Sequence, residues 1–329
     1  MTKLSEAGEL SLLEILRKRF GKRSRGVFVG IGDDAAVIRA EKNILLTTDM
    51  MVEGVHFDLS WTTPFQLGFK LVSVNISDIF AMGGRPQYVL LNFSAHRNST
   101  REFFDQFFDG IEKALKTYGV SLIGGDISSA DRIMLSLTAV GTGEKVLKRK
   151  GARVGDRIYV TGTLGDSACG LAMLKKLRRT IDFAKCGRKG LPVAWNIAAP
   201  LLRRHLLPLA RNPKSISGTA TAMIDISDGL LLDLSRLCKE SGVGARIQAA
   251  DVPVSKELRV TSACLGISAL DLALSGGEDY ELLFTASAKA EVKAYCIGEI
   301  TRSGISVVDD KGKEIQVSAR GYQHFSLQG

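Results

Sequence analysis

Leu67-Gly68-Phe69-Lys70-Leu71-Val72-Ser73-Val74-Asn75-Ile76-Ser77-Asp78-Ile79-Phe80-Ala81-Met82-Gly83-Gly84 decides how the first half of this chain is read. Leu67, Leu71, Val74 and Ala81 recur at helical spacing, and the run stops at paired glycines before Pro86, which predicts a helix over 67–82. Asp78 is four positions on from Val74, so its carboxylate shares the apolar stripe. A carboxylate on a buried stripe calls for a charge partner or a metal ion.

Working outward, Val27–Ile31, Ile44–Thr48, Tyr88–Ala95, Val120–Ile123 and Ile133–Val140 read as strands and Arg101–Tyr118 as a second helix. Ser11-Leu12-Leu13-Glu14 has the pattern of a capping box, opening a helix to about Phe20. Around 145–156 the sequence turns basic and glycine-rich, a junction that divides the chain into domains 1–148 and 149–329. The second half starts with a strand at Arg157–Thr161 and a helix after Asp166, with helix within Pro192–Ala210. A strand at Ala222–Ile226, a helix at Gly229–Glu240, strands near Tyr280–Thr285 and Cys296–Ile300, and a hairpin turning at 310–312 follow. Alternating strands and helices in both halves make the fold class α/β (α+β).

The 329 residues suit two domains, and 45% hydrophobic with 24% charged residues is ordinary for a soluble enzyme. No apolar run approaches the ~20 residues that span a bilayer, and residues 1–20 mix charges with leucines unlike a signal peptide, so the expectation is cytoplasmic. Cys169, Cys186, Cys238, Cys264 and Cys296 form no CxxC pair, which excludes a zinc ribbon or disulfide framework and leaves them as core or surface thiols. The net charge of +9 raises nucleic acid as a partner, but the basic clusters at 17–25, 145–157 and 175–179 lack interleaved aromatics. A nucleotide and a phosphorylated small substrate account for the same charge.

Acids lie at strand ends or glycine turns throughout: Asp33-Asp34 after Gly30-Ile31-Gly32, Asp49 after Thr47-Thr48, Asp126 after Gly124-Gly125, then Asp225-Ile226-Ser227-Asp228-Gly229 and Gly276-Gly277-Glu278-Asp279. Taken singly, each is explained as a turn or helix cap, and Ser227 or Asp228 suits the cap of the helix that follows. Asp78 resists that account. Two carboxylates ~4 Å apart repel by about 4 kcal/mol at an effective dielectric of ~20, so convergent acids need cations. Oxygen ligands without Cys or His select a hard ion, and Mg²⁺ bridging carboxylates to phosphates fits better than Ca²⁺, since no EF-hand loop is present. Gly30-Ile31-Gly32-Asp33-Asp34-Ala35 matches a dinucleotide fingerprint in form, but two aspartates in that turn would repel a pyrophosphate. A Walker A motif is absent.

Several ordered motifs now resemble one family. Gly30–Ala36, Thr47–Phe57, Asn75–Gly83, Leu122–Asp126, Tyr159–Ser167, Ile224–Leu230 and Ser275–Leu282 are similar, in order and over nearly the whole chain, to the motifs of thiamine-monophosphate kinases. The resemblance implies the two-domain fold of aminoimidazole ribonucleotide synthetase, dimerising through the N-terminal sheet. It implies in-line transfer of the ATP γ-phosphoryl group to thiamine monophosphate, the final step of thiamine diphosphate biosynthesis. Carried over motif by motif, Asp34, Thr47, Thr48, Asp49, Asp78, Asp126, Asp225 and Asp228 would hold Mg²⁺. Tyr118, Gly125, Asp126, Arg149 and Ser227 would contact ATP, and His56, Glu278 and Tyr322 the thiamine monophosphate. Plainer accounts exist for four of these: a packed histidine, a C-terminal anchor at Tyr322, a neighbouring lysine standing in for Arg149, and a helix-end Tyr118. A phosphate acceptor is ionised near neutral pH, its second pKa being about 6, so no general base is required. A selenophosphate synthetase would want an N-terminal cysteine, and the first here is Cys169. A non-catalytic nucleic-acid module and a nicotinamide enzyme are the rivals from other classes.

Overall fold

A computed structural model describes residues 15–16, 18–20, 27–29, 37–38, 43–183 and 189–315, with 27–29 and 37–38 as backbone. The capping box, Asp33, Asp34, Cys186 and Tyr322 lie outside them; residues 15–16 and 18–20 are helical, as expected. The chain divides into two compact units, Met1–Ile79 with Gly84–Val146, and Phe80–Gly83 with Leu147–Gly329.

In the first unit, β1 (Val27–Val29) and β2 (Val37–Ile38) pair antiparallel. A four-stranded sheet follows, ordered β3-β6-β4-β5, from β3 (Asn43–Val52), β4 (Arg85–Ala95), β5 (Ser121–Ser129) and β6 (Met134–Gly143). Helix α1 (Pro64–Ala81) precedes β4, and α2 (Arg101–Tyr118) connects β4 to its parallel neighbour β5, the crossover that parallel pairing requires. The limits of α2 match their sequence signals. Thr100 accepts a bond from the Phe103 amide, and Gly119 closes the helix in the left-handed conformation.

One face of the sheet is apolar: Leu45, Met51, Val89, Leu91, Phe93, Leu135, Leu137 and Ala139 are buried. Phe93 meets the rings of Phe104, Phe107 and Phe108 of α2 at 5.2–5.9 Å. The two helices cross backbone to backbone. A Cβ on Gly68 would lie 2.2 Å from the Phe107 carbonyl oxygen, and one on Gly110 would lie 2.0 Å from that of Phe65.

Two expectations change here. Asp49 and Asp126 do not stand at strand ends; β3 runs on to Val52, and β5 continues through Gly124-Gly125-Asp126 to Ser129. The glycines of β5 mark close backbone approach, not a turn. A Cβ on Gly125 would lie 1.9 Å from the Leu91 carbonyl oxygen of β4, and its φ is +149°.

The second unit holds a six-stranded sheet, ordered β12-β9-β11-β7-β10-β8: β7 (Arg157–Val160), β8 (Ala220–Asp225), β9 (Gly244–Gln248), β10 (Leu282–Ala286), β11 (Tyr295–Thr301) and β12 (Ile305–Val308). Its helices are α3 (Asp166–Leu177), α4 (Trp195–Leu206), α5 (Leu230–Ser241), α6 (Lys256–Leu265) and α7 (Ala269–Ser275). Leu230, Leu234 and Leu237 of α5 and Ala273 and Leu274 of α7 share a core with Ile158, Val160, Ile224 and Leu283. Tyr159, Met223 and Phe284 belong to a second cluster, with the Tyr159 and Phe284 rings stacked at 5.4 Å. Strand β9 and helices α6 and α7 had no counterpart among the expected elements. Both units mix helix with sheet, as the sequence implied. Among the described residues no single helix is long and apolar enough to cross a membrane.

Candidate active site

In the first unit, β3 alternates, so Thr47 and Asp49 point to the helix-covered face that Leu45 and Met51 share. There the Thr47 hydroxyl donates to Asp78 Oδ2 at 2.6 Å, and the Asp49 amide donates to Asn75 Oδ1 at 3.1 Å. Asn75 is wholly buried, and its own amide group bonds the Leu71 carbonyl at 2.9 Å. Asp78 is half-buried, so α1 lays it at the edge of the core and a strand hydroxyl receives it. The sequence argument expected full burial.

Thr48 points the other way. Its hydroxyl lies 3.3 Å from that of Thr138 and 3.5 Å from that of Ser136. Asp126, exposed, pairs in register with Asn92, which pairs with Ser136, so it shares that open face with Thr48. Three strand spacings, roughly 14 Å, separate β3 from β5. The acids expected to converge are thus divided between the two faces of one sheet. Just after β3, His56 Nδ1 accepts the Val52 amide at 3.0 Å, and Glu53 Oε2 accepts that of Ile133 at 3.2 Å. Tyr118, at the end of α2, donates its hydroxyl to Ser73 Oγ of α1 at 3.0 Å.

In the second unit three motif loops are stitched together. The Glu278 amide donates to the Ser227 carbonyl at 2.7 Å, the Tyr280 amide to that of Ile226 at 2.9 Å, and the Ile226 amide to that of Glu281 at 2.8 Å. Asp225, buried at the end of β8, is paired in register with Leu282. Glu278 and Tyr280 have φ of +66° and +51°, a conformation that costs non-glycine residues of order 1–3 kcal/mol and persists only where the surroundings impose it.

Those surroundings are three carboxylates. Asp279, fully buried, accepts the Gly165 and Ser167 amides at 2.6 and 3.1 Å, capping α3 from outside its own helix. Burial pushes its carboxyl up to about 7, against the pull of Arg204 and the two amides. Glu281, also fully buried, accepts two bonds from Arg211 at 2.7 Å each and the Thr161 hydroxyl at 2.6 Å, and lies 2.7 Å from Arg204. Asp233 accepts the amides of Ser227, Asp228 and Gly229 at 3.0–3.2 Å. Burial pushes its carboxyl up to about 6. Arg236 bridges Asp233 and Asp228 at 2.7 Å.

Neither Ser227 nor Asp228 caps α5, as the turn-and-cap account had it; the helix's own Asp233 does so. Glu278 meets His205 Nδ1 at 3.1 Å. Arg149 is exposed, and its carbonyl accepts the Ser241 hydroxyl at 2.8 Å. The functional reading of the sequence did not single out Asp233, Glu281, Arg204, His205 or Arg211. Asp233 carried a signal, being an acid in the first turn of a helix after a glycine. Cys169 and Cys238 are buried, their thiols pushed up to about 12 and 11.

Among the described residues no group of three or more His, Cys, Asp or Glu is placed to hold a metal ion. The donors at the β3–α1 seam nevertheless suit magnesium. They are hard oxygens, two carboxylates and a hydroxyl, and that ion is held by one or two carboxylates while keeping waters and phosphates.

Residues 32–143 match the family model "AIR synthase related protein, N-terminal domain" and residues 153–311 its C-terminal counterpart. Thiamine-monophosphate kinase of Aquifex aeolicus is 35% identical over 98% of this chain and all of its own length; that of Buchnera aphidicola subsp. Schizaphis graminum is 36% identical over 97% and 99%. A solved structure of AaThiL complexed with AMPPCP and TMP covers 99% of both chains at 35% identity and a TM-score of 0.77. Hydrogenase maturation protein HypE, 17% identical with a TM-score of 0.70, shares the fold alone. Matches of that identity along the whole chain leave one assignment: the chain belongs to the thiamine-monophosphate kinase family.

Proposed function

We propose that this chain transfers the γ-phosphoryl group of ATP to the phosphate of thiamine monophosphate, giving thiamine diphosphate and ADP by in-line attack. The reading is carried by the full-length match to kinases of that name, one of them solved with AMPPCP and TMP. The acceptor oxygen is ionised near neutral pH, so positioning and charge stabilisation suffice and no protein nucleophile takes part.

Asp34, Thr47, Thr48, Asp49, Asp78, Asp126, Asp225 and Asp228 would hold several Mg²⁺ ions, with Thr48 and Asp126 on the other face of the first sheet from Thr47, Asp49 and Asp78; when bound the ions supply charge neutralisation between two phosphate groups. Tyr118, Gly125, Asp126, Arg149 and Ser227 would contact ATP. His56, Glu278 and Tyr322 would contact the acceptor; a carboxylate and an aromatic ring both suit a cationic thiazolium. Domain 1–148 would bind ATP and magnesium, and 149–329 would complete the enzyme.

A cytoplasmic homodimer is the expected form. Ile44, Leu46, Met50 and Met134 support it, being exposed on the open face of the first sheet, Leu46 by 69%. The test is ADP release from Mg-ATP with thiamine monophosphate, thiamine or other phosphomonoesters. Thiamine monophosphate alone should accelerate it, and absence of that acceleration sinks the reading.

A further inference from the structure

The Glu278 side chain is held by a residue that the proposed chemistry does not use. Its backbone is pinned by the bond from its amide to the Ser227 carbonyl, and Oε2 of its carboxylate lies 3.1 Å from His205 Nδ1. His205 comes from the last turn of α4 and is 4% exposed. The same Nδ1 lies 3.1 Å from Ser167 Oγ, and Ser167 is wholly buried. The Ser167 amide in turn donates to Asp279, the residue after Glu278. Glu278, His205, Ser167 and Asp279 therefore close a circuit, and Arg204, beside His205, reaches Glu281 at the far end of the same loop. An ionised carboxylate only accepts, so the contact fixes the tautomer: Nδ1 carries the proton and donates to Glu278, with Ser167 Oγ as its second acceptor.

We propose that His205 is a positioning residue for the acceptor, fixing the Glu278 carboxylate in the direction that receives thiamine monophosphate. This rests on the reading of Glu278 as an acceptor contact. Without the Nδ1 donor the carboxylate keeps its charge but loses its direction, so acceptor binding weakens while ATP binding does not.

The test is steady-state kinetics of His205→Leu, His205→Asn and His205→Gln in the full chain, with melting temperatures measured alongside. His205→Leu should raise KM for thiamine monophosphate roughly 10-fold or more and leave KM for ATP unchanged. The Asn amide nitrogen overlays Nδ1 and should restore most of the loss; that of Gln overlays Nε2 and should not. If His205→Leu does not fold, the Asn and Gln pair decides the matter. Equal KM values for the Asn and Gln variants, or a rise in KM for ATP in step with that for the acceptor, overturn the proposal. Glu278→Ala separates the two ideas. If it raises KM for thiamine monophosphate and His205→Leu does not, the positioning role falls alone; if it leaves that KM unchanged, the reading of Glu278 falls and takes the inference with it.

Discussion

Among the described residues, Asp49, Asp78 and Asp126 of the first unit sit on regular backbone, and the buried Asp279, Glu281 and Asp233 of the second sit in or against loops. Asp49 and Asp126 lie within strands and Asp78 within a helix, so sheet and helix geometry places them. In the second unit Asp279, Glu281 and Asp233 are buried and take up amides, guanidinium groups and hydroxyls that the loops would otherwise leave without partners. Carboxylates alike in sequence thus have different surroundings: in the first unit regular structure supplies the shape around the acids proposed to hold magnesium, and in the second buried acids shape the loops.

The contrast predicts opposite responses to substitution. The largest effect is expected at Glu281, because Glu281→Ala removes the buried carboxylate that both Arg204 and Arg211 contact. Removing one partner of a buried pair costs about 3–5 kcal/mol, and the lower end applies because the Arg211 side chain is 44% exposed. Denaturant unfolding should show that loss, and a loss under ~1 kcal/mol would break the contrast. Asp78→Asn should do the reverse: turnover with Mg-ATP falls by about 100-fold or more while the melting temperature moves by only a few degrees. Full activity in that variant removes Asp78 from the site.

The third effect is a slope. Asp279 binds its proton more tightly folded, near 7, than unfolded, near 4. The stability its protonated form contributes is complete below about pH 4 and is lost as pH rises through about 7. Unfolding free energy should therefore fall between about pH 4 and 7, and Asp279→Asn should flatten that fall. An unchanged slope would place the titration elsewhere.

The same contrast separates what was legible in the sequence from what was not. Helix α2 was legible to the residue because Thr100 and Gly119 are local signals, and α1 because its stripe is strongly periodic. Strand β5 was cut short because Gly124-Gly125 has the composition of a turn; only the nearby Leu91 carbonyl explains why glycine continues a strand there. In the second unit the motifs were legible in order but not their joining. Glu281 meets Arg211 70 positions away and Thr161 120 positions away, and no local period encodes such a pair. Short β9 and the short helices α6 and α7 offer too few turns or alternations to stand out.

The crossing of α1 and α2 at Gly68 and Gly110 has a reach beyond its own packing. Asp78 is ten residues along α1 from Gly68, about 15 Å at the helical rise, and α1 is seated on that bare contact. A single methyl group there would act as a shim under one end of a lever and swing the other end off Thr47. The aim of a carboxylate proposed to hold magnesium is thus set, at a distance, by two residues that have no side chain.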